Sequence, residues 1–97
     1  YCMGNKAMIE SIAIVCGSGS SYLQNALDSQ VDCFITADVK YHQFHEAKGN
    51  VMLIDPGHAE MEQFVVEGMS TMLQNDECLY MQFFMSEVLT SPIQHVY

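Results

Sequence analysis

The stretch IESIAIVCGSGSSYLQNALDSQVDCFITAD, Ile9 to Asp38, decides the fold. Ile12 to Val15 is a short apolar run rich in β-branched residues, and Gly17 ends it. Residues 18–30 open with serines suited to capping a helix, and they set Tyr22, Leu23, Ala26 and Leu27 at helical spacing. Residues 31–38, VDCFITAD, read as a second strand. Strand, helix and strand in succession make a βαβ unit, whose strands run parallel with a right-handed crossover.

Working outward, Asp38 stands where it can cap a helix over VKYHQFHEAKG, with Gly49 as its stop. NVMLID (50–55) is a third strand, and Pro56-Gly57 is a turn. Residues 58–74 read as the longest helix and residues 78–88 as a fourth strand. TSPIQHVY closes the chain with a turn at Pro92. Residues 1–8 show no period and read as a lead-in to a single lobe over 9–97. The expected class is therefore α/β, a three-layer, mostly parallel sheet in βαβαβαβ order. Ligands in such sheets sit beyond the carboxyl ends of the strands, here 17–21, 36–38 and 55–58.

Composition narrows the function. The 97 residues make one domain at most, and 49% of them are hydrophobic, enough for a small core. Twelve acids against three lysines and no arginine give a net charge of -9. Nucleic-acid backbones and anionic membranes need basic side chains, so neither is an expected partner. No apolar run approaches a membrane span of roughly 18 residues. The four cysteines lack C-x-x-C spacing. Cys16 and Cys33 read as small hydrophobes inside strand-like runs, which points to a reducing cytoplasm. No leader is read at the start, and a beginning at Tyr1 reads as a piece of a longer protein.

Three constellations carry the chemistry. CGSGSS (16–21) is a glycine-rich turn between strand and helix that falls short of a dinucleotide fingerprint, because Tyr22 stands where a third glycine is needed. His42, His45 and Glu46 share one helix face at spacings that suit either chelation or plain solvation. The sharpest is His58 with Glu62. On a helix from His58, the residues Met61, Phe64, Val65, Gly68, Met69, Met72 and Leu73 form one apolar arc. Glu62 falls inside that arc. An inward carboxylate needs a partner or a cation, and the chain has few cations to offer. Imidazole and carboxylate together suit zinc, iron or manganese.

Three blocks in order, CGSGSS, ITADVKYH and DPGHAEMEQF, followed by TSPIQHVY, resemble the C-terminal half of a dinuclear-metal family. It is the GTP cyclohydrolase I type 2 homologue family, also called the NGG-one-interacting-factor-three-like family. The resemblance spans about residues 9 to 97. It implies that His58 and Glu62 are ligands of a two-metal centre whose other ligands, two adjacent histidines and an aspartate, lie outside this chain. It also implies a homo-oligomer, a dimer or a ring of dimers, in the cytoplasm. The chain would then supply half of a metal-dependent hydrolase centre for an unidentified small-molecule substrate, and would be inactive alone. Asp38, His42, Ser18 and Ser20 would line the cleft. Ala37 departs from the family's usual glycine. The alternative from another class is a non-enzymatic interaction or regulatory module with a structural or vestigial metal site.

Overall fold

The computed structural model describes residues 1–77, 80–88 and 92–93. They divide into two compact units, Tyr1–Glu62 and Gln63–Tyr97. The first holds a parallel sheet of β1 (Ile12–Ile14), β2 (Cys33–Ile35) and β3 (Met52–Ile54), in that spatial order. A 3-10 turn (Ser20–Tyr22) and α1 (Leu23–Asp28) join β1 to β2. Helix α2 (Tyr41–Ala47) joins β2 to β3. Two successive right-handed crossovers in one direction place α1 and α2 on the same face, where they pack side by side.

Register explains the core. Ala13, Phe34 and Leu53 sit level across the three strands and therefore share a face. Phe34 and Leu53 meet Leu23 and Ala26 of α1, Ala47 of α2 and Val51 in one buried cluster. Burying such side chains contributes about 1.5–3 kcal/mol each. The alternate strand positions, Ile12 and Ile14 among them, point to the other face, and these two are 56% and 64% exposed. The lead-in joins this unit. Cys2 exchanges backbone hydrogen bonds with Leu53 as an antiparallel bridge.

Beneath the strand starts, Asp32 is almost wholly buried. Its Oδ2 accepts from the backbone N–H groups of Glu10 and Ser11, and Lys6 pairs with its Oδ1 at 2.6 Å. Lys6 first, then these amides, hold the carboxyl well below the usual carboxylate range. Helix α2 ends before Gly49, which has φ +79, as expected. Its cap differs from expectation. Lys40 is the N-cap residue, and its N–H donates to Gln43. Asp38 is engaged elsewhere. The serines at 18–21 do not cap through their side chains either, because the chain enters α1 through the 3-10 turn.

The long helix expected over 58–74 is two helices. Helix α3 (His58–Glu62) ends at a turn over Gln63 and Phe64, and α4 (Val65–Gln74) begins with the β-branched pair Val65-Val66. β-branched side chains resist helical continuation, because they crowd the preceding turn. An apolar arc counted across the break therefore does not describe one surface. Phe64, Val65, Met69 and Met72 are exposed, and Glu62 is half-exposed rather than inward-facing. In the second unit, residues 80–88 form no strand. Their β-branched and aromatic content favours a strand only where a neighbouring edge takes up the backbone. Cys78 and Leu79, and most of the expected turn around Pro92, lie outside the described residues.

Candidate metal centre

Three consecutive strand ends build the site. After β1, Gly17 turns with φ +66, and its carbonyl accepts from the Ala37 N–H at 2.9 Å and the Thr36 hydroxyl at 3.1 Å. The same Thr36 hydroxyl accepts from the Gly19 N–H at 2.9 Å. Thr36 is fully buried, so these bonds also satisfy its polar group. After β3, Asp55 precedes Pro56-Gly57. Its Oδ1 accepts from the Gly57 N–H and its Oδ2 from the Val39 N–H, both at 3.0 Å. One carboxylate thus ties the loop after β2 to the start of α3.

His58 opens α3 and faces two acids. Its Nδ1 lies 2.7 Å from Asp38 Oδ2, and its Nε2 lies 3.1 Å from Glu62 Oε1, one helical turn on. Asp38 also takes a side-chain hydrogen bond from Ser18. The Asp38 contact, then the charge of Glu62, raise the His58 pKa. The His58 contact holds Asp38 below its ordinary value. A neutral ring carries one N–H and one lone pair, so in one of these two contacts a bare ring nitrogen meets an acid. That lone pair faces a carboxylate oxygen. Two acceptors so close repel each other unless a proton or a cation lies between them.

A metal fits that gap. Two donors on one ion, each bonded at about 2.0–2.1 Å, lie roughly 2.9–3.4 Å apart at octahedral to tetrahedral angles. The 3.1 Å between Nε2 and Oε1 falls in that range. Asp38 sits on the opposite side of the ring and is not a third ligand. Among the described residues, no group of three His, Cys, Asp or Glu side chains gathers to hold an ion. His58 and Glu62 are half-exposed, which leaves room for donors from elsewhere.

A family model described as Duf34/NIF3 (NGG1p interacting factor 3) matches residues 1–92. The chain belongs to the Duf34/NIF3 family. It is similar to a protein named GTP cyclohydrolase 1 type 2 homolog in Bacillus subtilis, 30% identical over 89% of this chain and 24% of that protein. A Campylobacter jejuni protein of the same name is 39% identical over 72% of this chain and 28% of its own length. Among solved structures, a Staphylococcus aureus hypothetical protein superposes with a TM-score of 0.78 at 36% identity, covering 91% of this chain and 30% of that one. The Duf34/NIF3 chain spans about a quarter of the length of the curated relatives it matches.

The other sequence candidates in this Duf34/NIF3 chain scatter. Ser18 reaches the site through Asp38. Ser20 takes part through its carbonyl, which accepts from the Gln43 side chain. His42 is exposed on α2, and among the described residues no hydrogen bond or ion pair joins it to His58. His45 packs edge-on against Tyr41. The Cys16 thiol is exposed rather than buried in a strand, and it donates to the Met61 carbonyl at 3.6 Å. Cys33 is buried as expected, and burial raises its pKa. A cleft of about 520 Å³ lies at the opposite ends of the strands, among Lys6, Gln30, Asp32 and Asn50, away from His58.

The sequence places Gly17 and Asp55 at strand ends where a ligand would sit, but gives neither a role in the site. A β-carbon on Gly17 would collide with Glu62 Oε1 and come within 3.4 Å of His58 Nε2. A glycine directly after a strand was the signal. For Asp55 the signal was an aspartate before Pro-Gly, where its side chain bonds the backbone two residues on.

Proposed function

We propose that this chain supplies His58 and Glu62 to a dinuclear centre of divalent ions, zinc, iron or manganese, completed by ligands outside the chain. The whole protein would be a metal-dependent hydrolase acting on a small molecule. The observation carrying this reading is the 3.1 Å approach of Nε2 to Oε1 on a ring whose other nitrogen is already taken by Asp38. His58 offers a neutral nitrogen, and Glu62 offers an anionic oxygen that offsets cationic charge. Bound divalent ions supply Lewis acidity and an acidified water. Gly17 keeps space clear beside both donors. Two ligands hold an ion weakly where sites usually take three or four, so the isolated chain is inactive on this reading.

Elemental mass spectrometry on the chain and on Glu62→Gln, purified without chelating resin, tests the pair. Metal lost in the variant supports it. Metal present equally in both refutes it, and where neither chain retains an ion the same assay on the whole protein decides. Hydrolysis by the whole protein, abolished in His58→Ala, then tests the reaction.

A second reading, an interaction or regulatory module in a homo-oligomer, is favoured by a separate observation. Helix α4 and the residue before it expose Phe64, Val65, Val66, Met69 and Met72. Met-rich apolar surfaces adapt readily to partners. On this reading His58→Ala leaves partner binding and assembly unchanged. Among the described residues no helix is long and apolar enough to cross a membrane. The free thiols of Cys2, Cys16 and Cys33 accord with a reducing, cytoplasmic setting.

A further inference from the structure

We propose that Asp38 is a positioning residue that selects Nε2 as the donor nitrogen of His58, and that Asp55 holds the two backbones at the spacing this requires. The inference deepens the metal reading and rests on it for its purpose, though not for its geometry.

Asp38 has φ +57, in the left-handed region where non-glycine residues are uncommon. The peptide is pinned on both sides of it. The Ala37 N–H is held by the Gly17 carbonyl, and the Val39 N–H by Asp55 Oδ2. The residue is thus locked in an unfavourable conformation that carries its carboxylate to Nδ1 at 2.7 Å. Such strain persists when the surroundings over-determine it, and it collects at functional sites. The other partner is fixed by the same aspartate. Asp55 Oδ1 holds the Gly57 N–H, one residue before His58. A single carboxylate therefore spans from the residue after Asp38 to the residue before His58.

Two acids compete for the ring proton. Glu62 would favour an Nε2–H and Asp38 an Nδ1–H. Asp38 has the closer contact, 2.7 against 3.1 Å, and it sits on a short side chain with a pinned backbone. Glu62 is about as exposed as Asp38, 48% against 53%, but it has one more rotatable bond and the longer contact, so it yields. The ring then presents a bare Nε2 to the side where Glu62 waits. An imidazole held at one nitrogen by a carboxylate has a fixed orientation and a more basic second nitrogen, and removing such a partner typically lowers metal affinity by about 10–100-fold.

The test uses the full chain without metal, with ¹⁵N-detected NMR of the His58 ring at a pH where it is neutral. Wild type should show the Nδ1–H form. Asp38→Gly relaxes the backbone but removes the acceptor, and it should return the ring to the Nε2–H form that free imidazole side chains favour. Asp38→Asn tolerates the left-handed region and keeps an accepting oxygen, so it should retain Nδ1–H. Asp55→Ala should weaken that preference while His58 and Asp38 are intact. An Nε2–H ring in wild type, or no change in Asp38→Gly, overturns the proposal. Zinc titration of the same proteins gives a second readout, with a 10–100-fold weaker Kd expected for Asp38→Gly. The titration repeated on the whole protein separates the two readings: an Nδ1–H ring with no zinc uptake there would defeat the metal reading and leave the positioning geometry standing.

Discussion

Substituting Gly17 by alanine separates backbone strain from the integrity of the site. Gly17 has φ +66, and a side chain there costs about 1–2 kcal/mol, partly offset by lower freedom in the unfolded chain. The added methyl also strikes Glu62 Oε1. Glu62 is 48% exposed at its side chain, so it can swing into solvent with little further loss of stability. What it gives up is the approach to His58. Gly49 is the control, because it has φ +79 and nothing within 4 Å of an added β-carbon. Gly49→Ala and Gly17→Ala should each lose about 1 kcal/mol, a fall of roughly 4–8 °C in Tm for a domain of this size. Only Gly17→Ala should weaken zinc binding, by about tenfold or more. Gly19→Ala should be worse for folding than either, by about 1–3 kcal/mol, because its β-carbon meets the partly buried Val15 side chain and lies 2.6 Å from Thr36 Oγ1. Thermal melts and zinc calorimetry on the three variants decide the matter. Unchanged zinc affinity in Gly17→Ala, or an equal loss in Gly49→Ala, would refute the idea that Gly17 keeps room for the pair.

Further outcomes follow from the same contacts. Thr36→Val removes the buried hydroxyl that joins the Gly17 carbonyl to the Gly19 N–H, which keeps its 3.0 Å contact with that carbonyl, and should lose about 0.5–1.5 kcal/mol in urea unfolding, with no loss counting against the Thr36 tie between strand ends. Phe34→Ala empties the centre of the core and should lose about 3–5 kcal/mol, enough to unfold a marginal domain by circular dichroism. The Asp32 pKa is depressed in the folded state, so its contribution is present above the unfolded value and fades as pH falls toward the folded one. Lys6→Met raises the folded value and should move acid unfolding to higher pH, whereas an unmoved transition would mean that the buried amides alone hold the carboxylate.

Much was determined by local pattern alone. The β-branched run at Ile12, the helical spacing of Leu23 and Ala26, the stop at Gly49 and the turn at Pro56-Gly57 are short-range signals, and β1 to β3 with α1 and α2 follow them. The His58/Glu62 pair was legible because i,i+4 spacing is itself local. Its reason was misjudged. The wheel from His58 to Leu73 assumed one unbroken helix, and the break at Gln63-Phe64 left Glu62 half-exposed at the mouth of the sheet instead of buried. The strand expected at 78–88 failed for a related reason, since its backbone needs an edge that no local pattern can promise.

Tertiary structure alone decided which nitrogen of His58 is free. Asp38 and His58 are twenty residues apart, and their 2.7 Å contact depends on parallel register and on Asp55 bonding two loops at once. A sequence can state that a histidine and a glutamate share a helix face. It cannot state that a third acid, carried by a left-handed turn on the neighbouring strand, occupies the other side of the ring, because that direction is set by the sheet and not by the segment.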